Sequence, residues 1–180
     1  HTPPTKAALV EYVRTHHPGE LKKLEQERRS FEFQQVQSLV WLGDPAADFR
    51  ARIQTMTRPL AYLKQYEQHG HPIFQSELGI VHCHALLGLP LDALAPAFAD
   101  YIATRRRANG SFNNTPAADD GDGHVMNTLW GLQALRLLGR PDEKQAELVE
   151  WLRACQRPNG GFTYQPKPEF GGADDVAYTR

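Results

Sequence analysis

The sequence predicts an all-α protein built from stacked helical repeats, and three observations support this. Arg106-Arg107-Ala108-Asn109-Gly110-Ser111-Phe112 is echoed by Gln156-Arg157-Pro158-Asn159-Gly160-Gly161-Phe162, with the two Phe residues 50 apart. Leu87-Gly88-Leu89-Pro90 anticipates Leu138-Gly139-Arg140-Pro141, and Val125-Met126-Asn127-Thr128 anticipates Val176-Ala177-Tyr178-Thr179, both at an offset of 51. No segment alternates apolar and polar residues as a half-buried strand requires. A nearly constant offset across several short matches marks supersecondary units stacked at that period.

Each element has its own local signal. Pro3-Pro4 precedes a helix over Thr5 to Thr15 that ends near His17-Pro18-Gly19. Glu20 to Leu42 begins highly charged and becomes apolar through Phe31, Phe33, Val36, Leu39, Val40 and Leu42, so its C-terminal half enters the core. Gly43 stops it, and Asp44-Pro45 can start the next helix. That helix is expected over Ala46 to Gln68, with Ile53, Met56, Leu60 and Leu63 at three- and four-residue steps, and Gly70-His71-Pro72 ends it. Glu77 to Leu87 reads as a short apolar helix and Leu91 to Arg107 as a longer amphipathic one. Val125 to Leu138 and Asp142 to Arg157 repeat that short-then-long pair. Val125 to Leu138 carries one charge, Arg136, whereas Asp142 to Arg157 is charged around more than half its circumference. A helix apolar on nearly all sides is enclosed and a half-charged one faces water, so inner and outer helix layers are expected.

Composition sets the outer limits. A chain of 180 residues with 41% hydrophobic content can bury a sizeable core as one domain. A net charge of −1 provides no global field for nucleic acid or an anionic membrane. The local run Arg105-Arg106-Arg107 reads as a solvated helix C-terminus, where cations complement the dipole. Cys83 and Cys155 lack metal-ligand or disulfide-framework spacing, which points to a reducing, cytoplasmic setting. No apolar run reaches the length of about 18 residues needed to cross a bilayer. His82-Cys83-His84 puts successive histidines about 200° apart on a helix, which favours core packing over metal ligation. No nucleophile elbow, phosphate loop or dinucleotide fingerprint is present.

Trp151-Leu152-Arg153-Ala154-Cys155-Gln156-Arg157-Pro158-Asn159-Gly160-Gly161-Phe162 follows an order of aromatic, aliphatic, three residues, Gln, a short gap, then Gly-x-aromatic. This resembles the repeat shared by protein prenyltransferase β-subunits and by squalene and other terpene cyclases. Tyr101-Ile102 to Phe112 follows the same order with Arg106 in place of the Gln. The resemblance covers residues 77–180 and leaves 1–76 as degenerate N-terminal repeats, together one domain. It implies an α/α toroid in which helical hairpins form a barrel and inner helices line a cavity for an isoprenoid or its diphosphate. Gly110, Gly160 and Gly161 would then let the loops approach a neighbour, Phe112 and Phe162 would anchor them, and Gln156 would satisfy backbone groups.

The chemical candidates follow those loops, where inner helices would begin. Asp119, Asp120, Asp122 and His124 form one cluster, and Asp174 and Asp175 stand at the matching place in the next repeat. Acids there can hold a divalent cation such as Mg²⁺ carrying a diphosphate, or one protonated Asp can act as a general acid toward an alkene. They can equally serve as helix N-caps. Trp130, Tyr164 and Tyr178 would line the cavity and face a carbocation, or else pack as core aromatics. The zinc pattern of the prenyltransferases, Asp then Cys two positions later, meets Ala177 after Asp175 and Met126 in the preceding repeat, so no zinc site is carried over. The cyclase patterns Asp-x-Asp-Asp and Asp-Asp-x-x-Asp are not matched, the second because Gly123 stands at its last acid.

Arg180 falls where a third inner helix would begin. The expectation is either a portion of a longer protein or an open helical face covered by another copy or a partner subunit. The alternative to an enzyme is a non-catalytic repeat module that binds a protein or lipid on its concave surface, with the acids as caps.

Overall fold

The computed structural model describes residues 4–16, 25–60, 73–119, 121–140 and 142–166. They are helical without strands, as expected, and the only β pairing among them is two isolated bridges, Arg106 with Phe112 and Gln156 with Phe162. Seven α-helices run in order: α1 (Lys6–Thr15), α2 (Glu25–Trp41), α3 (Ala47–Thr55), α4 (Ile73–Leu86), α5 (Ala95–Ala103), α6 (Val125–Leu137) and α7 (Gln145–Cys155). A 3-10 turn, Ala117–Asp119, lies between α5 and α6. No helix among the described residues is long and apolar enough to cross a membrane. The chain forms two compact units, His1–Ala97 and Phe98–Arg180.

In the first unit α2 packs along α4, α1 lies on α2, and α3 rests against α4. Phe33, Val36 and Leu39 of α2 and Phe74, Leu78, Ile80 and Val81 of α4 are buried. Gly79 allows the close approach, because a Cβ there would stand 2.8 Å from Phe33 Cγ. Both sides of α4 carry buried residues, as an enclosed helix should. Two of its polar residues are buried against partners from other segments. His84 is 2% exposed, with one ring nitrogen 3.2 Å from the Pro90 carbonyl and the other 3.0 Å from that of Ile53. The fully buried Glu77 carboxylate accepts from Arg29 at 2.8 Å and from the Leu60 N–H at 2.7 Å. Cys83 and Cys155 are free and buried, and burial pushes both thiols up, Cys155 to about 11.

In the second unit the apolar stripe of α7, Leu148, Trp151 and Cys155, packs against Val125 and Leu132 of α6 and against Phe162. The repeated loops are built alike. In each, the Arg N–H donates to a carbonyl four residues on (Arg107 to Ser111, 2.8 Å; Arg157 to Gly161, 2.7 Å), and the Gly N–H returns to the Arg carbonyl. The Asn side chain accepts from the N–H two residues later (Ser111, 3.1 Å; Gly161, 3.0 Å). Gly110 and Gly160 occupy the left-handed region at φ 80° and 87°, which only glycine enters without strain. At Gly110 close approach matters as well, since a Cβ would lie 2.8 Å from the Lys144 carbonyl oxygen. Phe112 is fully buried and lies over Gly131, and so anchors its loop as expected. Gln156 is exposed, and its backbone pairs with Phe162.

The repeat reaches further back than the glycine-rich loops suggest. Leu42-Gly43-Asp44-Pro45 ends α2 in the manner that Leu87-Gly88-Leu89-Pro90 ends α4 and Leu138-Gly139-Arg140-Pro141 follows α6. In all three the Gly is left-handed (φ 72°, 61° and 65°), and the next N–H donates to the carbonyl five residues back, at 2.9, 2.8 and 2.9 Å. This is the Schellman way of closing a helix. Eleven residues before the Gly, Glu77 in α4 and Thr128 in α6 do the same job on different chemistry. Glu77 receives the Leu60 N–H, and the Thr128 hydroxyl receives the Phe112 N–H at 3.0 Å.

Three expectations are corrected. The predicted short-then-long order is reversed: α4 has 14 residues and α5 has 9, α6 has 13 and α7 has 11. Leu91–Leu94 form a turn before Pro96 sets the first turn of α5, and the tight Arg107–Ser111 loop claims residues assigned to the helix end. The helix expected to run past Thr55 stops there, because Thr57-Arg58-Pro59 cannot continue it; 61–72 lie outside the described residues. The arginine run is not a solvated terminus. Arg105 and Arg107 are 4% and 7% exposed and are spent on carbonyl, hydroxyl and ring contacts.

Candidate functional site

The site predicted at the start of α6 is assembled from the loop that leads into it. Asp119 closes the 3-10 turn, Asp122 is partly buried, and His124 is the N-cap of α6. Asp120, Asp174, Asp175 and Tyr178 lie outside the described residues. The structure brings His124 and Tyr164 together: their rings stand 5.2 Å apart and tilted by 30°, and the Tyr164 carbonyl accepts the Val125 N–H at 3.0 Å. Trp130 lies farther along α6, partly buried.

His124 has a defined local task. Its backbone is extended (φ −128°, ψ 131°) and Nδ1 accepts the Met126 N–H at 3.2 Å, which satisfies one of the donors a helix start leaves open. That contact requires a bare Nδ1, and burial holds the ring's pKa below the ordinary histidine value. The neutral cap therefore contributes fully above the ordinary value of about 6.5 and is lost as pH falls through the lowered folded-state value. Acidification from about pH 7 to 5 should thus destabilise the wild type relative to His124→Asn, whose cap does not titrate, by up to about 1 kcal/mol. Thermal melts of both proteins across that range check this, and parallel profiles would refute it.

The acid-bearing loop is held by residues to which the sequence pattern assigned no part in it. Arg107 Nε donates to the Gly121 carbonyl at 2.7 Å, and its terminal nitrogens donate to the carbonyls of Arg105 (3.1 Å) and Thr115 (3.0 Å) and to the Thr115 hydroxyl (2.7 Å). Asn113 Nδ2 donates to the Asp122 carbonyl at 2.6 Å and Asn113 Oδ1 accepts from Asn127 of α6 at 3.3 Å, so α6 and the loop share one amide chain. At the far end His124 N–H donates to the Phe112 carbonyl at 2.8 Å. An open cleft of about 470 Å³ lies against the loop, lined by Arg107, Ala108, Asn109, Ala117, Gly121 and Asp122. The signal for Arg107 and Asn109 was present in the shared order Arg-x-Asn-Gly-x-Phe, where only the Gly and Phe had drawn a role. Asn113 and Asn127 had no such signal.

Among the described residues no three His, Cys, Asp or Glu side chains stand close enough to hold a metal ion. A divalent cation thus finds no protein cage within them. The other surface of note is on α6 itself. Asn127, Thr128, Gly131, Ala134, Leu135 and Leu138 are buried, while Leu129 (42% exposed), Gln133 and Arg136 are exposed and Met126, Trp130 and Leu137 are partly covered. The expectation of an all-round enclosed α6 is therefore corrected: packing against α7 and the Phe112 loop uses one side only.

Comparison with protein-family models, with curated proteins and with solved structures finds no match to this chain.

Proposed function

We propose that this chain is a prenyltransferase- or terpene-cyclase-like protein of α/α-toroid type, with the partly exposed face of α6 as part of the wall of an isoprenoid-binding cavity. The observation that carries the reading is that face. Met126, Leu129, Trp130, Gln133 and Leu137 follow three- and four-residue steps along a helix whose opposite side is fully packed. An apolar face with an aromatic ring and one or two polar groups suits a branched hydrocarbon. Nearly identical Arg-x-Asn-Gly-x-Phe turns, each closing the same hydrogen bonds, support the repeat resemblance behind the toroid.

The acids supply the polar end of this reading. Carboxylates alone repel a diphosphate, so Asp119, Asp120, Asp122, Asp174 and Asp175 would meet one only through a divalent cation such as Mg²⁺, which carries the charge between them. No reaction step is assigned to that ion. His124 works as a cap, with the Tyr164 ring beside it.

Binding of farnesol, followed by calorimetry for affinity and by tryptophan fluorescence for location, tests the proposal. Trp130→Ala should weaken it about tenfold, or about 1.4 kcal/mol, and a Trp130→Phe protein should retain affinity while losing most of the signal. Absence of saturable binding to the wild type would sink the isoprenoid reading. It would favour the second reading, a non-catalytic repeat module, which gains support from the use of His124, Arg105 and Arg107 on backbone groups.

A further inference from the structure

We infer that Asn159-Gly160 is a site of spontaneous isoaspartate formation, and that its twin Asn109-Gly110 is shielded from the same reaction by the fold. Each repeated turn places an asparagine before a glycine, whose amide nitrogen no side chain hinders. In the reaction that nitrogen loses its proton to hydroxide and attacks the Asn Cγ. A C–N bond forms, the Cγ–Nδ2 bond breaks, ammonia leaves and a cyclic succinimide remains. Water then opens the ring, at Cγ to give an aspartate or at the main-chain carbonyl to give an isoaspartate, in which the chain runs through the side chain.

The closed turn resists this attack. In both turns the Gly N–H donates to the Arg carbonyl three residues back, at 3.0 Å for Gly110 and 2.9 Å for Gly160, and the Asn Oδ1 accepts the N–H two residues on. Attack requires the first of these bonds to break, so the rate follows the cost of opening the turn. That cost differs between the loops. Gly110 is buried, and a Cβ there would lie 2.8 Å from the Lys144 carbonyl oxygen and 3.0 Å from Leu148 Cβ. Lys144 Nζ also donates to the Ala108 carbonyl at 3.3 Å, and Phe112 behind the turn is fully buried. Asn159 and Gly160 are both exposed, and Phe162 is only partly buried. Apart from its chain neighbours, a Cβ at Gly160 would meet no atom within 4 Å. The second turn therefore has room for the tetrahedral carbon that precedes the ring, and its opening displaces less packing. An isoaspartate there adds one methylene to the chain between Gln156 and Phe162, which shifts their bridge out of register. It also pulls on Thr163, whose N–H and hydroxyl both donate to the Cys155 carbonyl, at 3.0 and 3.2 Å, so the end of α7 loses its tie.

Incubation of the whole chain in mildly alkaline buffer, with its peptides mapped by mass spectrometry at intervals, tests this. The peptide that holds Asn159 should gain the mass of an amide-to-acid change about tenfold faster than the one that holds Asn109, and an isoaspartyl methyltransferase should label it. In urea the two rates should converge, because the packing that separates them is gone. Hydrogen exchange of the aged protein should rise in residues 155–163 and stay the same in 105–113. No product at Asn159, equal rates in the folded protein or a faster reaction at Asn109 overturns the inference. A difference that persists undiminished in urea overturns it as well, since neighbouring residues rather than the fold would then set the rates.

Discussion

Glu77→Ala is expected to cost about 3–5 kcal/mol of stability. The fully buried carboxylate accepts from Arg29 of α2 and from the Leu60 N–H, so one side chain of α4 joins α2 to the segment that follows α3. Removing it takes the carboxylate from a guanidinium whose side chain is 11% exposed, which still donates to the Arg58 carbonyl at 3.3 Å, and leaves the Leu60 N–H without its acceptor. Glu77→Gln keeps an acceptor and should lose less. Urea denaturation of the three proteins measures both changes, and a loss under about 1 kcal/mol for Glu77→Ala would show that Arg29 finds water or another partner cheaply.

Gly123→Ala should be nearly as damaging, by roughly 3 kcal/mol. A Cβ at Gly123 would stand 1.8 Å from Ser111 Oγ and 2.3 Å from Ser111 Cβ, with Trp151 Cζ2 at 3.4 Å behind. Ser111 is fully buried and cannot swing clear, so the loop must lift and stretch the hydrogen bond from His124 N–H to the Phe112 carbonyl. The relieving change is Ser111→Gly, which the second loop already carries at Gly161. The double variant Gly123→Ala, Ser111→Gly should recover much of the loss, a coupling that a thermodynamic cycle reads directly. Equal stability of Gly123→Ala and wild type would mean that the loop is not seated on Ser111 as described.

These two positions show how unevenly the sequence can be read. Gly110 and Gly160 declared themselves by repetition, because a left-handed turn has few residue choices. Gly123 was read only as a departure from an acid motif, yet its lack of a side chain is a packing requirement set by Ser111, 12 residues earlier. The Leu42-Gly43-Asp44-Pro45 turn was legible as a third copy of its motif and went unread, since its spacing to the next copy is 45 rather than 51. Arg107 was misread because a charge run at a helix end has the same composition whether it faces water or loop carbonyls. His124 was grouped with the acids by proximity in sequence, whereas its ring serves the first turn of α6.

What the sequence by itself determined is the helical class, the positions of the helix-ending glycines and the order of the repeated loops. Each of these follows from local rules: periodicity, left-handed backbone, the proline stop. Only the tertiary structure decided which polar groups are buried, that Glu77 and Thr128 perform one task with different chemistry, and which side of α6 is the less buried. Those outcomes depend on which carbonyls and amides are brought within hydrogen-bonding reach once the helices have packed. Burial makes an unmet polar group costly, so the fold selects partners across distances that no local pattern encodes.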